Sequence, residues 1–172
     1  MKSIVKSLNE ALKNNVRESV SRGYLYNNVD LDDPMSVVSV VDNFIAKARR
    51  KLTLGTVRNR IVPNIQAGPS DRSTKAEIIY DIINATYEWL SSITSMISDR
   101  RNSDIDQDLY DQITGLTDTN EEASDFIFDQ LMEDSKAVKR SGIDSEELSE
   151  MIYGVLAHWD DVSAEVVGTD WA

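Results

Sequence analysis

Apolar residues recur at helical spacing along most of the chain, and the alternation of apolar and polar residues that is typical of strands is scarce. The spacing predicts a first helix from Lys2 to Arg22, ended by Gly23. Its apolar row is Ile4, Leu8, Leu12, Val16 and Val20. Because a four-residue step overshoots a full turn by about 40°, this row winds around the helix and favours contact with more than one partner helix.

A second helix is predicted to begin at Pro34. Asp33 is a strong N-cap residue, and proline at the first helical position lacks the N–H that would stay unpaired there. The apolar stripe is Val37, Val41, Phe44, Ile45, Ala48 and Leu52. The β-branched residues within 37–41 make a short strand the alternative, but we expect a helix because the period continues to Leu52.

The helical pattern breaks from Thr53 to Ser73. The turn-forming residues in this range are Gly55, Pro63, Gly68 and Pro69. Connections longer than about 12–15 residues are usually functional or flexible. We therefore expect either a hinge between a basic and an acidic part of the chain, or a loop that contains a short helix around Val57–Ile61.

A long third helix is predicted from the capping box Thr74-Lys75-Ala76-Glu77, whose hydroxyl and carboxylate each accept an N–H at the helix start. One apolar stripe is Ile79, Ile83, Thr86, Leu90, Ile93 and Ile97, and a second is Ile78, Ile82, Ala85, Trp89 and Met96. Two apolar faces require neighbours on two sides, so we expect this helix to be the centre of a bundle.

Three further helices follow. The fourth runs from Ser103 to about Ile113 and stops at Gly115. The fifth follows the capping box Thr119-Asn120-Glu121-Glu122 into Ala123, Phe126, Ile127 and Leu131, with the next break at Ser141-Gly142. Asp144 or Ser145 caps the sixth, whose stripe is Leu148, Met151, Ile152, Val155, Leu156 and Trp159. Residues 160–172 are predicted to be a short acidic tail.

The predicted fold class is therefore all-α, an irregular bundle of about six helices with a long central helix and an irregular segment at 53–73. We expect a single domain over 1–172. Within it, 1–52 is a basic helical part, 53–73 a linker or loop, 74–160 an acidic helical core and 161–172 a tail.

Composition narrows the chemistry that this chain can perform. Among its 172 residues there is no cysteine and only one histidine, His158. Sites that need thiolates or several imidazoles are excluded, which removes zinc fingers and iron–sulfur clusters. No apolar run approaches the roughly 18 residues of a membrane span, and Lys2, Lys6 and Glu10 interrupt the stretch that a signal peptide would need. We expect no membrane association and a cytoplasmic location.

Charge is distributed unevenly along the chain. Residues 1–66 hold 11 Lys+Arg and 6 Asp+Glu, hence +5, whereas residues 67–172 hold 7 and 24, hence −17. The basic cluster, a candidate interaction patch, consists of Lys47, Arg49, Arg50, Lys51, Arg58 and Arg60. It is expected to be a solvated helix end, to pair with the acidic region, or to contact nucleic acid or an acidic partner.

The opposite feature is an acidic row at helical spacing: Glu122, Asp125, Asp129 and Glu133. Like charges one turn apart cost about 0.2–0.5 kcal/mol per pair in an isolated helix. A solvated face is the simplest interpretation of the row, and a candidate acidic interaction face is the functional one. A DNA-mimic inhibitor is a third, but one row is too sparse beside duplex DNA, so several helices would have to contribute carboxylates.

Motifs for catalysis are missing from the sequence. There is no Gly-x-Ser-x-Gly elbow, phosphate loop or dinucleotide fingerprint. The acids from Asp104 to Asp111 fail the calcium-loop pattern, because Leu109 stands where that loop needs glycine. The pairs Glu122-x-x-Asp125 and Glu147-x-x-Glu150 have the spacing of a metal-dependent helical hydrolase, which is the weakest alternative. No catalytic residue, cofactor or metal site is predicted.

The opening residues, Met1 to Leu12, together with the Asn- and Ser-rich, acidic and cysteine-free composition, resemble accessory proteins of tailed bacteriophages. The resemblance implies a virion or assembly component, or an inhibitor of a host protein, located in the virion or the cytoplasm. We expect a non-enzymatic helical module whose partner is another protein. Nucleic acid bound through the basic N-terminal third is the alternative partner, and a homo-oligomer is a further alternative.

Overall fold

The computed structural model describes residues 33–99 and 121–167. Within these ranges the protein is all-α, an irregular helical bundle, which confirms the predicted fold class. The main helices are α1 Pro34–Lys51, α2 Arg72–Asp99, α3 Glu121–Asp134, α4 Lys136–Ser141, α5 Ser145–Ala157 and α6 Trp159–Val167. The predictions for Lys2–Arg22, for 103–113 and for the Thr119 cap lie outside the described residues.

Helix α1 begins as its sequence predicts. The Asp33 carboxylate accepts the Met35 N–H at 3.1 Å, and Pro34 occupies the first turn. All residues of the predicted stripe are buried, namely Val37, Val41, Phe44, Ile45, Ala48 and Leu52. The alternative of a short strand at 37–41 is wrong, because the stripe at helical spacing decides the local structure.

After α1 the chain forms three short consecutive helical turns. An α-turn, Leu54–Thr56, is followed by a π-helical turn, Val57–Ile61, and a 3₁₀ turn, Val62–Asn64. Val57, Ile61, Val62 and Ile65 are buried, and the turns pack against α2. The short helix predicted around Val57–Ile61 is confirmed. We call residues 54–64 the turn segment.

The start of α2 differs from the predicted capping box. Asp71 caps the helix: its carboxylate accepts the Thr74 N–H at 3.2 Å and also the Thr74 hydroxyl. Helix α2 therefore begins at Arg72, about one turn before the position at which a Thr74 N-cap would start it. Glu77 does not reach back to the helix start but forms an ion pair with Arg140 of α4. An aspartate three residues upstream competes successfully because it is the stronger cap.

Helix α2 is the centre of the described bundle, as its two stripes predict. It packs against α1, the turn segment, α3, α4 and α5. Both stripes are buried apart from Met96, which is 41% exposed. The buried Thr86 hydroxyl donates to the Ile82 carbonyl at 2.8 Å, so this polar atom in the core is satisfied.

An additional break separates α3 from α4 at Ser135. The Ser135 hydroxyl oxygen accepts the Val138 N–H at 3.1 Å and so caps α4. The same hydroxyl donates to Asp81 of α2 at 2.7 Å. Helix α4 ends at Gly142, whose φ of 68° is in the left-handed region. The Asp81–Ser135 hydrogen bond ties the break to the central helix.

Residues 160–167 are not the acidic tail that the sequence predicts. Asp144 caps α5, and His158 ends it. The chain then continues as α6 from Trp159 to Val167. Val162 and Val166 are fully buried, and α6 packs against α1 and α5. The sequence prediction was wrong because, within 160–167, the acidic residues outnumber the buried valines on the inner side of α6.

An aromatic cluster joins α1, α2 and α6. The ring centroids of Phe44 and Trp159 lie 6.0 Å apart, and the Tyr87 ring is 6.5 Å from each of them. Burial raises the pKa of the Tyr87 hydroxyl, so this group stays neutral. The cluster belongs to one hydrophobic core that includes residues from both described ranges.

Candidate interaction surfaces

The acidic row lies on the outer side of α3. Glu122, Asp125, Asp129 and Glu133 are all exposed. Steps of three, four and four residues place them within one narrow stripe, about 16 Å long at 1.5 Å per residue. The row is therefore a continuous strip of carboxylates, as its spacing predicts, and its role in an interaction stays a prediction.

Helix α5 contributes carboxylates beside this row. It packs against α3, and its own acids, Glu146, Glu147 and Glu150, are exposed. Neither helix contains a lysine or an arginine. We call the exposed side of these two helices the α3–α5 face. Its charge is uniformly negative, so it attracts cationic groups over a Debye length of about 8–10 Å.

A groove lies between α3 and α5 in this face. Its volume is about 230 Å³, and its lining residues are Ser124, Asp125, Phe128, Ser149, Ile152 and Tyr153. Phe128 is only partly buried against the core, and Tyr153 is 43% exposed. Asp125 belongs both to the groove and to the acidic row. The groove thus combines aromatic and aliphatic walls with a carboxylate border.

Helical geometry explains why the charges border the groove. On α5, Glu146 and Glu150 precede Tyr153 by seven and three residues, so all three share one side of the helix. On α3, Phe128 lies about 100° from the acidic row and faces α5. Carboxylates therefore stand on both sides of the groove, whose lining is half apolar and half polar.

The two carboxylate pairs with hydrolase-like spacing lie on different helices. In the described part of the chain, no group of three or more His, Asp or Glu side chains is placed to hold a metal ion. The pairs Glu122/Asp125 and Glu147/Glu150 lie exposed on their separate helices. The spacing that the two pairs share with helical hydrolases is not accompanied by a shared site.

The basic patch is only partly brought together. Arg49, Arg50 and Lys51 end α1 and are exposed. Arg60 is engaged elsewhere, because its guanidinium donates to the Glu165 carboxylate of α6 at 2.8 Å. This ion pair joins a basic and an acidic part of the chain, but Arg60 is 67% exposed, so the pair contributes little stability.

The backbone of Arg58 is contacted by a second arginine that lies 14 residues further along the sequence. Arg72 of α2 donates from Nε to the Arg58 carbonyl at 3.2 Å. The range 47–75 holds eight Lys or Arg residues and one acidic residue, Asp71. The folding of the turn segment onto α2 brings the Arg72 side chain to the backbone of Arg58, and no local spacing indicates this contact.

Phe128 and Tyr153 were likewise not predicted as site residues. Each lies one position outside the apolar stripe of its helix, next to Ile127 and Ile152 respectively. An aromatic residue displaced from the buried stripe is a usable signal for a surface site, because its burial is incomplete. That the two aromatics line one groove depends on how α3 packs against α5.

No described helix is both long and apolar enough to cross a bilayer. No protein-family model, curated protein or solved structure matches this chain.

Proposed function

We propose that this protein is a non-enzymatic interaction module that binds another protein through the α3–α5 face. The supporting observation is the groove between Phe128 and Tyr153, bordered by carboxylates on two helices that carry no cation. Partly exposed aromatic residues beside polar groups are typical of protein-binding surfaces. The uniform charge selects a partner with a basic surface.

Repulsion within the face supports the same proposal. The acidic row places like charges one turn apart, at a cost of about 0.2–0.5 kcal/mol per pair in an isolated helix. In the described ranges none of these four carboxylates forms an ion pair, and the Lys139 ammonium donates to the backbone carbonyl of Glu133 at one end of the row. A basic partner would relieve the repulsion on binding. Complementary charge would also raise the association rate and make it dependent on salt.

A pair of matched variants tests the proposal. Glu122→Lys/Asp129→Lys reverses two charges on the face, one in the first turn of α3 and one in its middle. Asp42→Lys/Asp161→Lys makes the same charge change at exposed positions in the middle of α1 and the first turn of α6. Proteins retained from the native cell by the unmodified chain should be lost from the first variant and kept by the second.

The comparison requires that both variants remain folded, which circular dichroism and thermal unfolding establish. Equal retention of the same proteins by both variants would contradict the proposal. Retention lost equally from both would show that overall charge, not this face, attracts the partner. If the protein resembles phage accessory proteins in role as well as composition, the retained partner is a virion component or a host protein in the cytoplasm.

The basic range 47–75 favours a second candidate function, the binding of nucleic acid, because the Arg72 side chain reaches the backbone of the turn segment at the Arg58 carbonyl. Phosphate binding needs several cations on one surface, and Arg49, Arg50 and Lys51 supply further exposed groups near the end of α1. A DNA-mimic role for the α3–α5 face is a remaining alternative, because α5 does add carboxylates to the row. Competition by duplex DNA for the retained partner distinguishes that role.

A further inference from the structure

We propose that the groove between α3 and α5 accommodates a basic amphipathic helix of the partner, with one apolar side chain inserted between Phe128 and Tyr153. The inference rests on the proposed function and adds the form and chemistry of the ligand. It commits to a helix with Lys or Arg residues beside an apolar stripe.

The groove determines the apolar part of this ligand. Its volume of about 230 Å³ is sufficient for one large side chain, such as leucine or phenylalanine. The Tyr153 ring, 43% exposed, and the partly buried Phe128 ring form two of its walls. Helix-in-groove complexes use apolar anchors along one face of the helix, and the anchor that fills a pocket near the centre carries a large share of the binding energy.

The acidic row determines the spacing of the cations. Glu122 and Glu133 are eleven residues apart, so the row of four carboxylates spans about 16 Å. Lys or Arg residues at i, i+4, i+7 and i+11 of a partner helix have the same rise. Four residues on one side of an extended strand would span about 20 Å, which leaves the outer charges out of register.

The carboxylates of α5 explain why the ligand should be basic on more than one side. Glu146 and Glu150 are one turn apart and lie across the groove from the acidic row. A helix seated in the groove would therefore have anionic neighbours on both flanks of its apolar stripe. Arg or Lys residues on both flanks, with the stripe between them, satisfy this arrangement.

A designed peptide tests the inference with the full chain. The probe is an amphipathic helix with Lys at i, i+4, i+7 and i+11, further Lys on the other flank, and one central phenylalanine in a leucine stripe. One control peptide replaces a central residue by proline, which breaks the helix but keeps the charge. A second control keeps the helix and places the same lysines in scrambled order. Binding is measured by fluorescence anisotropy at several salt concentrations.

The expected result is binding of the probe, weakened about tenfold or more by each change that removes a part of the interaction. These changes are the proline peptide, the scrambled peptide, Tyr153→Ala, and Glu122→Lys/Asp129→Lys in the protein. Tyr153→Phe should retain most of the affinity, because the ring is kept. Asp42→Lys/Asp161→Lys should bind nearly as the unmodified chain does.

Several results would overturn the inference. Equal binding of the proline peptide would indicate an extended ligand, and affinity unchanged by Tyr153→Ala would mean that the groove holds no anchor. Absence of probe binding, together with native-cell partners that still depend on Glu122 and Asp129, would reject the helix while leaving the proposed function intact. Loss of that partner dependence would reject both.

The remaining occupants are tested by cross-linking. The sequence itself carries Lys2, Lys6 and Lys13. Zero-length carbodiimide cross-links from these lysines to Asp125 or Asp129 within one chain would assign the groove to the chain's own N-terminal residues. Cross-links between isotopically distinct copies would assign it to a second copy. Either result would overturn the inference of an external helix.

Discussion

Gly68 lies directly against the side chain of Met151, where the residues that precede α2 pass beside α5. The φ of Gly68 is 82°, and a Cβ built at this position would overlap the Met151 thioether. Two independent features therefore require glycine here: a left-handed backbone and the absence of space. Gly142, with a φ of 68°, shares the first feature but has nothing within 4 Å of the same position.

This difference predicts unequal costs for the same substitution. Gly142→Ala should destabilise the protein by about 1–2 kcal/mol, the cost of a left-handed alanine. Gly68→Ala should cost roughly 1–3 kcal/mol more, because overpacking is added to the backbone strain. Urea unfolding of both variants measures the two free energies. Equal costs would mean that Gly68 does not lie against Met151 as described, or that the flexible Met151 side chain moves aside without cost.

The helical state of residues 159–167 gives a second prediction. Val162 and Val166 are fully buried, so each valine-to-alanine substitution should cost about 1–3 kcal/mol through lost burial and an incompletely filled space. Asp161→Ala, at an exposed position on the same helix, should change stability by less than about 0.5 kcal/mol. Chemical denaturation of the three variants is the measurement, and three equally small effects would restore the tail interpretation.

The sequence predicted long periodic helices well and short, tertiary-dependent ones poorly. Helix α1 and the double stripe of α2 are confirmed because many apolar residues repeat at one period. Helix α6 was missed because, after Trp159, only two apolar residues, Val162 and Val166, mark its inner side in the described part of the helix, beside several acids. The break at Ser135 was missed for another reason, since its serine is held by Asp81 from a different helix.

The candidate site also has one part that the sequence predicts and another that depends on tertiary contacts. The row from Glu122 to Glu133 follows from spacing on one helix, so sequence alone indicates it. The groove requires Phe128 and Tyr153 to approach from two helices, and nothing in the spacing of either helix encodes that approach. Arg60 is an example of a residue that sequence position assigns to the basic patch but that a tertiary contact, its ion pair with Glu165, engages elsewhere.

Asp81 gives a prediction about pH. Burial raises the pKa of its carboxyl, the Ser135 hydrogen bond acts in the opposite direction, and the charge of Glu77 adds to the increase. A carboxyl whose pKa is higher in the folded state favours folding when protonated and disfavours it when ionised. Stability from this group is therefore present below the unfolded pKa of 3.8 and is lost as pH rises through the folded value.

Asp81→Asn should remove this dependence. The variant should gain stability relative to the unmodified chain as pH rises from about 3 to 7, because the ionisation that disfavours folding is absent. Ser135→Ala should steepen the loss instead, since it removes the hydrogen bond that lowers the Asp81 pKa. Urea unfolding at a series of pH values gives the differences. A gap between Asp81→Asn and the unmodified chain that narrows with rising pH would have the wrong sign.

The last prediction concerns the basic end of α1. If Arg49, Arg50 and Lys51 contact a phosphate backbone, replacing all three by glutamine should weaken binding to every duplex sequence alike. Each lost phosphate contact should also reduce the slope of log affinity against log salt by about 0.9. Lys136→Gln/Lys139→Gln/Arg140→Gln removes the same charge from exposed positions on α4 and is the control for charge. Because it also removes the Arg140–Glu77 ion pair, thermal unfolding must first show that this variant is folded. Filter binding at several salt concentrations measures both effects. Equal weakening by the two variants would mean that overall net charge, not the end of α1, determines binding. If the unmodified chain does not bind at low salt, nucleic acid is no longer a candidate partner.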